Sequence, residues 1–334
     1  MSLLFKLSIM DTMLKTSFLF SSLLIYTKEY MFFLIYILLL CFSPSRSVTI
    51  KGISIYGLET PLKNFVCSWV HPVEYYIVDL KALGFNAIRM PFSYEYIKAN
   101  DLSKLDHFME HSFIHNMSVV LDLHRIWSYH QGPTPEENGV SISDVVDMWK
   151  SVLSRYEHFE NLKGHNAFNE YQGVDIEYLT SYHKTIFDAI ENQFPDRFYH
   201  FATGYLWSGN LHGFTLEDLP YNNKIIYSVH KYVFSGTSDE KDWEKSFGNE
   251  FPPEKICIGE WGWKQQNPNE VEWAVRFIAY LRKKNITMTA FWTIAHSGDT
   301  DGIYFDDCEN LDGQKLHLLQ SLWADETRFL RGRT

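Results

Sequence analysis

A chain of 334 residues, 46% hydrophobic and 21% charged, has the balance of a globular protein with a large core. A formal net charge of −11, a pI near 5.7 and the lack of any Lys/Arg run exclude the basic footprint of a nucleic-acid binder. Ten Trp, 20 Tyr and 25 Phe are enough to fill a core and to leave ring faces free for stacking on a ligand.

The N-terminus reads as a targeting segment. "MFFLIYILLLCF" (31–42) is an unbroken apolar run after Lys28, and "SPSRS" (43–47) supplies small residues ahead of Val48. The run suits the core of a signal peptide better than a membrane span, which needs about 20 residues. A second apolar patch, "SFLFSSLLIY" (17–26), leaves two arrangements open: Met31 is the true start, or all of 1–47 is a signal anchor. The expectation is a leader over 1–47 and one folded domain over 48–334, secreted or, in the second arrangement, anchored to a membrane.

From Val48 onward short apolar strands alternate with longer amphipathic helices. "VTIKGISIYG" (48–57) reads as a strand, "VEYYIVDLKALG" (73–84) as a helix, "FNAIRMP" (85–91) as a strand and "LSKLDHFMEHSFIHN" (102–116) as a helix. "SVVLDLH" (118–124) is followed, after a polar loop, by the helix "SDVVDMWKSVLSRYEHF" (143–159). "HNAFNE" (165–170) precedes the helix "IEYLTSYHKTIFDAIENQF" (176–194). "FYHFATG" (198–204) and "KIIYSVHKY" (224–232) are strands that each lead into a loop. "KICIGEWG" (255–262), the helix "EVEWAVRFIAYLRKK" (270–284), "ITMTAFWT" (286–293) and a last helix near 314–323 complete the pattern. Strands alternating with mostly helical crossovers argue for parallel βαβ units, and eight of them for a closed (β/α)8 TIM barrel in a single domain. A doubly wound open sheet is the alternative, but it would put a phosphate-binding glycine pattern after the first strand, and "YGLETPLKN" is not one.

Of four cysteines, Cys41 falls in the apolar run, and Cys67, Cys257 and Cys308 have no CxxC spacing, so no metal site is expected. Cys67 and Cys308 follow the first and the eighth strand, neighbours in a closed barrel, and are the pair expected to form a disulfide. The sequons Asn116-Met-Ser and Asn285-Ile-Thr offer N-glycosylation sites in a secretory compartment.

In a (β/α)8 barrel the active site gathers at the carboxyl ends of the strands. Those ends carry Arg89, His124, Asn169 with Glu170, His230 with Tyr232, Glu260 and Trp292. Singly each has a plainer reading. Glu170 can point into water, Arg89 can pair with Asp122 or Glu95, His124 can cap its strand, and Trp292 can be core. A closed barrel, however, makes all of them converge on one rim, and Glu260 sits inside "ICIGEWGW", among apolar residues and tryptophans.

"YGLET" (56–60), "IRMPFSYEYIK" (88–98), "LDLHR" (121–125), "FNEYQG" (168–173), "WSGNLHG" (207–213), "SVHKY" (228–232), "IGEWG" (258–262) and "SGDTDGI" (297–303) together resemble glycoside hydrolase family 5, in its bacterial endoglucanase-like branch. The motifs keep the family's order over about 50–325. The resemblance implies a retaining glycosidase working without metal or organic cofactor on a β-linked polysaccharide or oligosaccharide, β-1,4-glucan foremost, with no protein partner implied. Glu170 would be the acid/base and Glu260 the nucleophile, with Arg89 and Tyr232 contacting Glu260. Asn169 would bind the sugar 2-hydroxyl, His124 and His230 would line the site, Trp292 would floor it, and the Trp292–Thr293 peptide would be cis. Retention requires one carboxylic acid and one carboxylate about 5–5.5 Å apart, and an arginine beside one of them separates their protonation.

The sequence departs from the family pattern at three places. Tyr171 and Ile126 stand where proline is usual, and Asp301 where a second glycine is usual. These departures reshape loops, so a β-mannanase or another β-glycanase with the same chemistry is an alternative. A catalytically inactive carbohydrate-binding barrel is another. The loop 126–139 and Trp207, Trp261 and Trp263 offer further faces for stacking on sugar.

Overall fold

Eight parallel strands pair in sequence order and close on themselves: β1 (Ile50–Ser54), β2 (Ala87–Ser93), β3 (Ser118–Arg125), β4 (Leu162–Asn166), β5 (Tyr199–Thr203), β6 (Ile225–Tyr232), β7 (Ile256–Gly262) and β8 (Met288–Phe291). The ring is completed by Ile50–Met288 and Gly52–Ala290 pairing between β1 and β8. The computed structural model describes residues 49–235 and 239–324; the expected leader over 1–47 lies outside them.

Helices α1 (Val73–Ala82), α2 (Tyr94–Lys98), α3 (Ser103–Ile114), α4 (Ile142–Tyr156), α5 (Ile176–Gln193), α6 (Glu240–Trp243), α7 (Pro268–Lys284) and α8 (Gly313–Ser321) supply the outer layer. Their starts follow capping chemistry. Ser141 and Asp144 form a reciprocal capping box on α4, and Asp175 caps α5 through Tyr178 N. On α4 the buried Val145, Val146, Trp149, Val152, Leu153 and Tyr156 recur at helical spacing and face the barrel. α7 begins at Pro268, ends in Arg282, Lys283 and Lys284, and is closed by Asn285 in the left-handed region. Asn116 plays the same part after α3, with φ 51°. Both sequon asparagines are exposed, and they lie beside the N-terminal ends of β3 and β8, the face opposite the rim that carries the polar residues.

Not every crossover is helical. Between β5 and β6 the described chain forms only a 3-10 turn, Asn222–Lys224. Gly204, Gly209, Gly213 and Pro220 interrupt any helical run there, and the loop packs instead through Leu211, Phe214, Leu216 and Leu219. The Cys67–Cys308 disulfide, with Cα atoms 5.6 Å apart, joins the loops that follow β1 and β8. Tyr76 Oη donates to the Cys308 carbonyl at 3.0 Å and packs α1 against that junction.

The period-two alternation of a strand explains how the barrel interior is filled. Val120, Phe201, Ile226, Cys257 and Met288 form a small apolar plug inside, with Ile50 against it. Two residues further along β3, β6 and β8 come Asp122, Ser228 and Ala290, and two beyond those come His124, His230 and Trp292. In these three strands one parity thus runs from apolar plug to functional rim.

β7 breaks the rule. Cys257 and Gly259 line the barrel interior, so Glu260 by parity belongs outside. The pairing register shifts between Val229 and His230 on the β6 side and between Ile258 and Trp261 on the β8 side. This irregularity turns Glu260 inward, as a bulge re-aims a side chain. Gly259 makes room for the neighbouring side chains of β6: a Cβ there would stand 2.2 Å from Ser228 Oγ and 3.1 Å from His230 Nε2.

Candidate active site

Glu170 lies past the end of β4, which stops at Asn166 rather than continuing to 170 as the sequence suggested. Residues 167–170 follow as an irregular segment with bends at Ala167 and Asn169, and its backbone is gripped from both sides. Asn169 N donates to Leu123 O at 2.9 Å, and Thr203 Oγ1 donates to Phe168 O at 2.7 Å.

Arg89, from β2, is the hub of the site. It is buried, and Nη1 donates to Glu260 Oε1 at 2.6 Å while Nη2 reaches Asn169 Oδ1 at 2.5 Å and Asp122 Oδ2 at 2.9 Å. Asp122 also meets His124 Nδ1 at 2.8 Å and accepts from Asn166 Nδ2 at 2.6 Å. This fully buried carboxylate, named in the sequence only as an ion-pair partner for Arg89, is the anchor that fixes Arg89 and His124 together. The signal for it was its parity with His124, two residues on. Asn169 Oδ1 is taken by Arg89, which turns the amide Nδ2 toward His124, 3.4 Å from its Nε2.

Glu260 is the more enclosed of the two facing glutamates, with 5% of its side chain accessible. Burial alone would raise its pKa. The positive fields of His230, Arg89 and His124 and the Tyr232 hydroxyl, which donates to Oε2 at 2.8 Å, outweigh burial and hold the carboxyl well below the usual range. Tyr232 moves the other way: burial and the charges of Glu260 and Glu170 push its phenol well above the ordinary value, so it stays a donor. For His124, burial works against the charged form, but Asp122, Glu260 and Glu59 reverse it and the pKa is raised.

Glu170 is less enclosed, at 14%. His230 Nδ1 lies 2.8 Å from its Oε1, and Gln131 Nε2 donates to Oε2 at 3.0 Å. Glu170, His230 and Glu260 present one ligand atom each, all within 4.8 Å of one another. The oxygens concerned already face the Arg89, Tyr232 and Gln131 donors, and a cation among them would stand beside the Arg89 guanidinium. The set is therefore two juxtaposed carboxylates under different electrostatic control rather than a metal cradle.

Trp292 is half-buried and lies parallel to His124, with ring centroids 5.2 Å apart at 8°, and beside Tyr56 at 5.6 Å. The Trp292–Thr293 peptide is cis. Thr300 Oγ1 donates to the Trp292 carbonyl, and the buried Lys315 Nζ donates to Thr300 O at 2.7 Å. Trp207 is exposed at 54% beside this rim. Trp261 and Trp263 are fully buried and offer no stacking face. They lie in the helix layer, against Phe277 and Phe291, because the bulge that turns Glu260 inward leaves Trp261 pointing out of the barrel.

A feature the sequence did not signal is a left-handed turn over 206–208, where Leu206, Trp207 and Ser208 have φ of 53°, 55° and 55°. Such residues cost about 1–2 kcal/mol apiece unless the surroundings impose the conformation. Here they do. Trp207 N donates to Tyr171 O at 3.0 Å, Ser208 Oγ to Asn169 O at 2.7 Å, and His230 N to Ser208 O at 2.9 Å. The turn grips the carbonyls of the residues on each side of Glu170, Asn169 and Tyr171, and ties them to His230.

Comparison with known proteins places the chain in a family. Residues 49–298 match the family model described as cellulase, glycosyl hydrolase family 5. The chain is 25% identical over 342 residues to the major extracellular endoglucanase of Xanthomonas campestris pv. campestris, covering 84% of this chain and 68% of that protein. It is 23% identical over 331 residues to an endoglucanase of Paenibacillus polymyxa, covering 82% of each. Its fold superimposes on an endocellulase from Pyrococcus horikoshii, solved as a cellotetraose complex, with a TM-score of 0.75 at 24% identity, over 83% of this chain and 93% of that one. A family match that runs from the first barrel strand to the loop after the last, across the rim where two carboxylates face each other, makes this chain a glycoside hydrolase belonging to the cellulases of glycosyl hydrolase family 5.

Proposed function

We propose that the chain is a retaining endo-β-1,4-glucanase in which Glu260 is the nucleophile and Glu170 the acid/base. The observation that carries this reading is the meeting of the two carboxylates, with oxygens within 4.8 Å, one held ionised by Arg89, Tyr232 and His230 and the other open to the cleft. An inverting pair needs a gap of about 6.5–9.5 Å for the attacking water, and a retaining pair about 5–5.5 Å.

In the first step the Glu260 carboxylate attacks the anomeric carbon while Glu170 gives its proton to the departing glycosidic oxygen. In the second, water attacks the glycosyl-enzyme ester as Glu170 takes the water's proton, freeing Glu260. The Asn169 amide, oriented by Arg89, is set to meet the sugar 2-hydroxyl, and Trp292 to floor the reacting sugar. The reading includes export through the leader over 1–47 and sugar stacking on Trp207.

A substrate panel of carboxymethyl cellulose, mannan and xylan with product-length analysis tests it. Shortening of the glucan with an early fall in viscosity is expected. Release from mannan alone would move the substrate to another β-glycan, and release from none would overturn the enzymatic reading. Glu260→Gln should be inactive on every substrate. Glu170→Ala should lose roughly 10²–10⁴-fold on polymer, yet keep the first step on an aryl glycoside whose acidic phenol leaves without a proton.

A further inference from the structure

Gln131 donates from Nε2 to Glu170 Oε2 at 3.0 Å, opposite His230 Nδ1 at Oε1. The terminal torsion of a glutamate is broad and nearly two-fold, so a carboxyl held at one oxygen still swings. Two partners on two oxygens fix its plane. Gln131 sits in the loop 126–139, whose apparent role in the sequence was to offer stacking faces.

The loop is built to aim that amide. It leaves β3, where Ser128 N donates to Glu95 Oε2 at 2.9 Å, and turns at Trp127, whose Nε1 donates to Asn138 O at 3.0 Å. Asn138 Nδ2 donates to Thr134 O at 2.7 Å, which pins the Asn138 side chain against Gly132. A Cβ on Gly132 would stand 1.9 Å from Asn138 Nδ2, so a larger residue after Gln131 would displace the Asn138 side chain from its bond to Thr134 O. Gln172 N donates to Pro133 O at 3.2 Å, which ties the loop to the segment just after Glu170. Gln131 is half-buried between these supports.

We infer that Gln131 is a positioning residue for the acid/base, holding the Glu170 carboxyl in the orientation from which it passes a proton to the leaving oxygen and later takes one from water. The inference rests on Glu170 being the acid/base. The amide N–H serves both halves of the cycle, since a carboxyl oxygen accepts from it whether the group is protonated or ionised.

The test uses Gln131→Met, which keeps length and removes the donor, alongside Gln131→Asn, which keeps the amide but falls short, and Glu170→Ala. Activity is read on polymer and on 2,4-dinitrophenyl β-cellobioside, whose first step needs no acid. Both Gln131 variants should lose roughly ten- to hundredfold in kcat on polymer, the scale of a misplaced catalytic group. Their burst on the aryl cellobioside should stay within about twofold of wild type, because proton donation is not needed there. Steady turnover should slow, and azide should restore it in Glu170→Ala, where the carboxylate is gone, with formation of a β-glycosyl azide.

Equal losses on polymer and in the burst would mean a structural role, and no loss on either would mean no role; both overturn the inference. A leaving-group contrast in Glu170→Ala without one in the Gln131 variants overturns the inference alone. Lack of that contrast in Glu170→Ala overturns the acid/base assignment and the inference with it.

Discussion

Arg89 Nη1 donates to Glu260 Oε1 at 2.6 Å across 171 positions of sequence, with both side chains buried. The same guanidinium answers Asp122, so removing it strands two carboxylates in the barrel. Arg89→Met should destabilise the fold by about 3–5 kcal/mol, the usual cost of breaking a buried pair from one side. Arg89→Lys keeps the charge without the planar fork, so it should fold better than the methionine variant and still lose kcat. Urea midpoints and steady-state rates on the two variants check both expectations; an Arg89→Met variant as stable as wild type would refute the first.

Stability should fall as pH drops from 7. Burial holds the His165 and His183 imidazoles below the ordinary value, His183 at about 4, and His200 is lowered as well despite its Glu191 partner. A histidine with a depressed folded pKa contributes stability that is full above the unfolded value near 6.5 and lost as pH falls through that value toward the folded one. Glu260 adds a loss at lower pH, once pH passes below the ordinary carboxylate value toward its depressed one. His124, raised, has the opposite sign: its contribution is present below about 6.5 and lost as pH rises through its folded value. Between pH 6.5 and 4 His183 contributes a slope of up to about 1.4 kcal/mol per pH unit, and His165 and His200 add losses of the same sign. Urea unfolding at pH 7.5, 6 and 5 should show the decline. His183→Gln, able to keep a donor to Thr203 O, should make it shallower.

The disulfide closes a span of 241 residues. Replacing Cys67 and Cys308 by alanine should lower stability by about 2–5 kcal/mol, the usual cost of removing a native disulfide. The melting temperature with and without reductant checks this for the unmodified protein. The double variant should show no response to reductant, since the remaining described cysteine, Cys257, is buried in the barrel.

The turn over 206–208 separates strain from function. Leu206 is half-exposed at φ 53°, so Leu206→Gly should relieve the left-handed penalty and leave stability unchanged or raised by up to about 1 kcal/mol. Ser208→Ala removes the bond from Oγ to the Asn169 carbonyl, so it should lower kcat on polymer more than it shifts the melting temperature. Equal activity in Ser208→Ala and wild type would show that the turn's grip on residue 169 does not matter for turnover.

The alternation of short apolar runs with amphipathic helices was enough to read the barrel from the sequence, because both periods are local and each element must bury one face. The same logic brought Arg89, His124, Glu170, His230, Glu260 and Trp292 to one rim, since residues at strand ends converge once the sheet closes. Tertiary structure decided what local periodicity cannot carry. The irregularity in β7 turns Glu260 inward and sends Trp261 out against α7, reversing the parity that a plain strand would impose, and it exists only through pairing with β6 and β8. Gln131 and Ser208 lie in loops with no period at all; their contacts with Glu170 and Asn169 arise because chains 39 residues apart in sequence, in each case, are laid side by side by the barrel. Asp122 was visible as a residue, but its hold on Arg89, His124 and Asn166 at once follows from enclosure, where a carboxylate must find a partner for each of its oxygens.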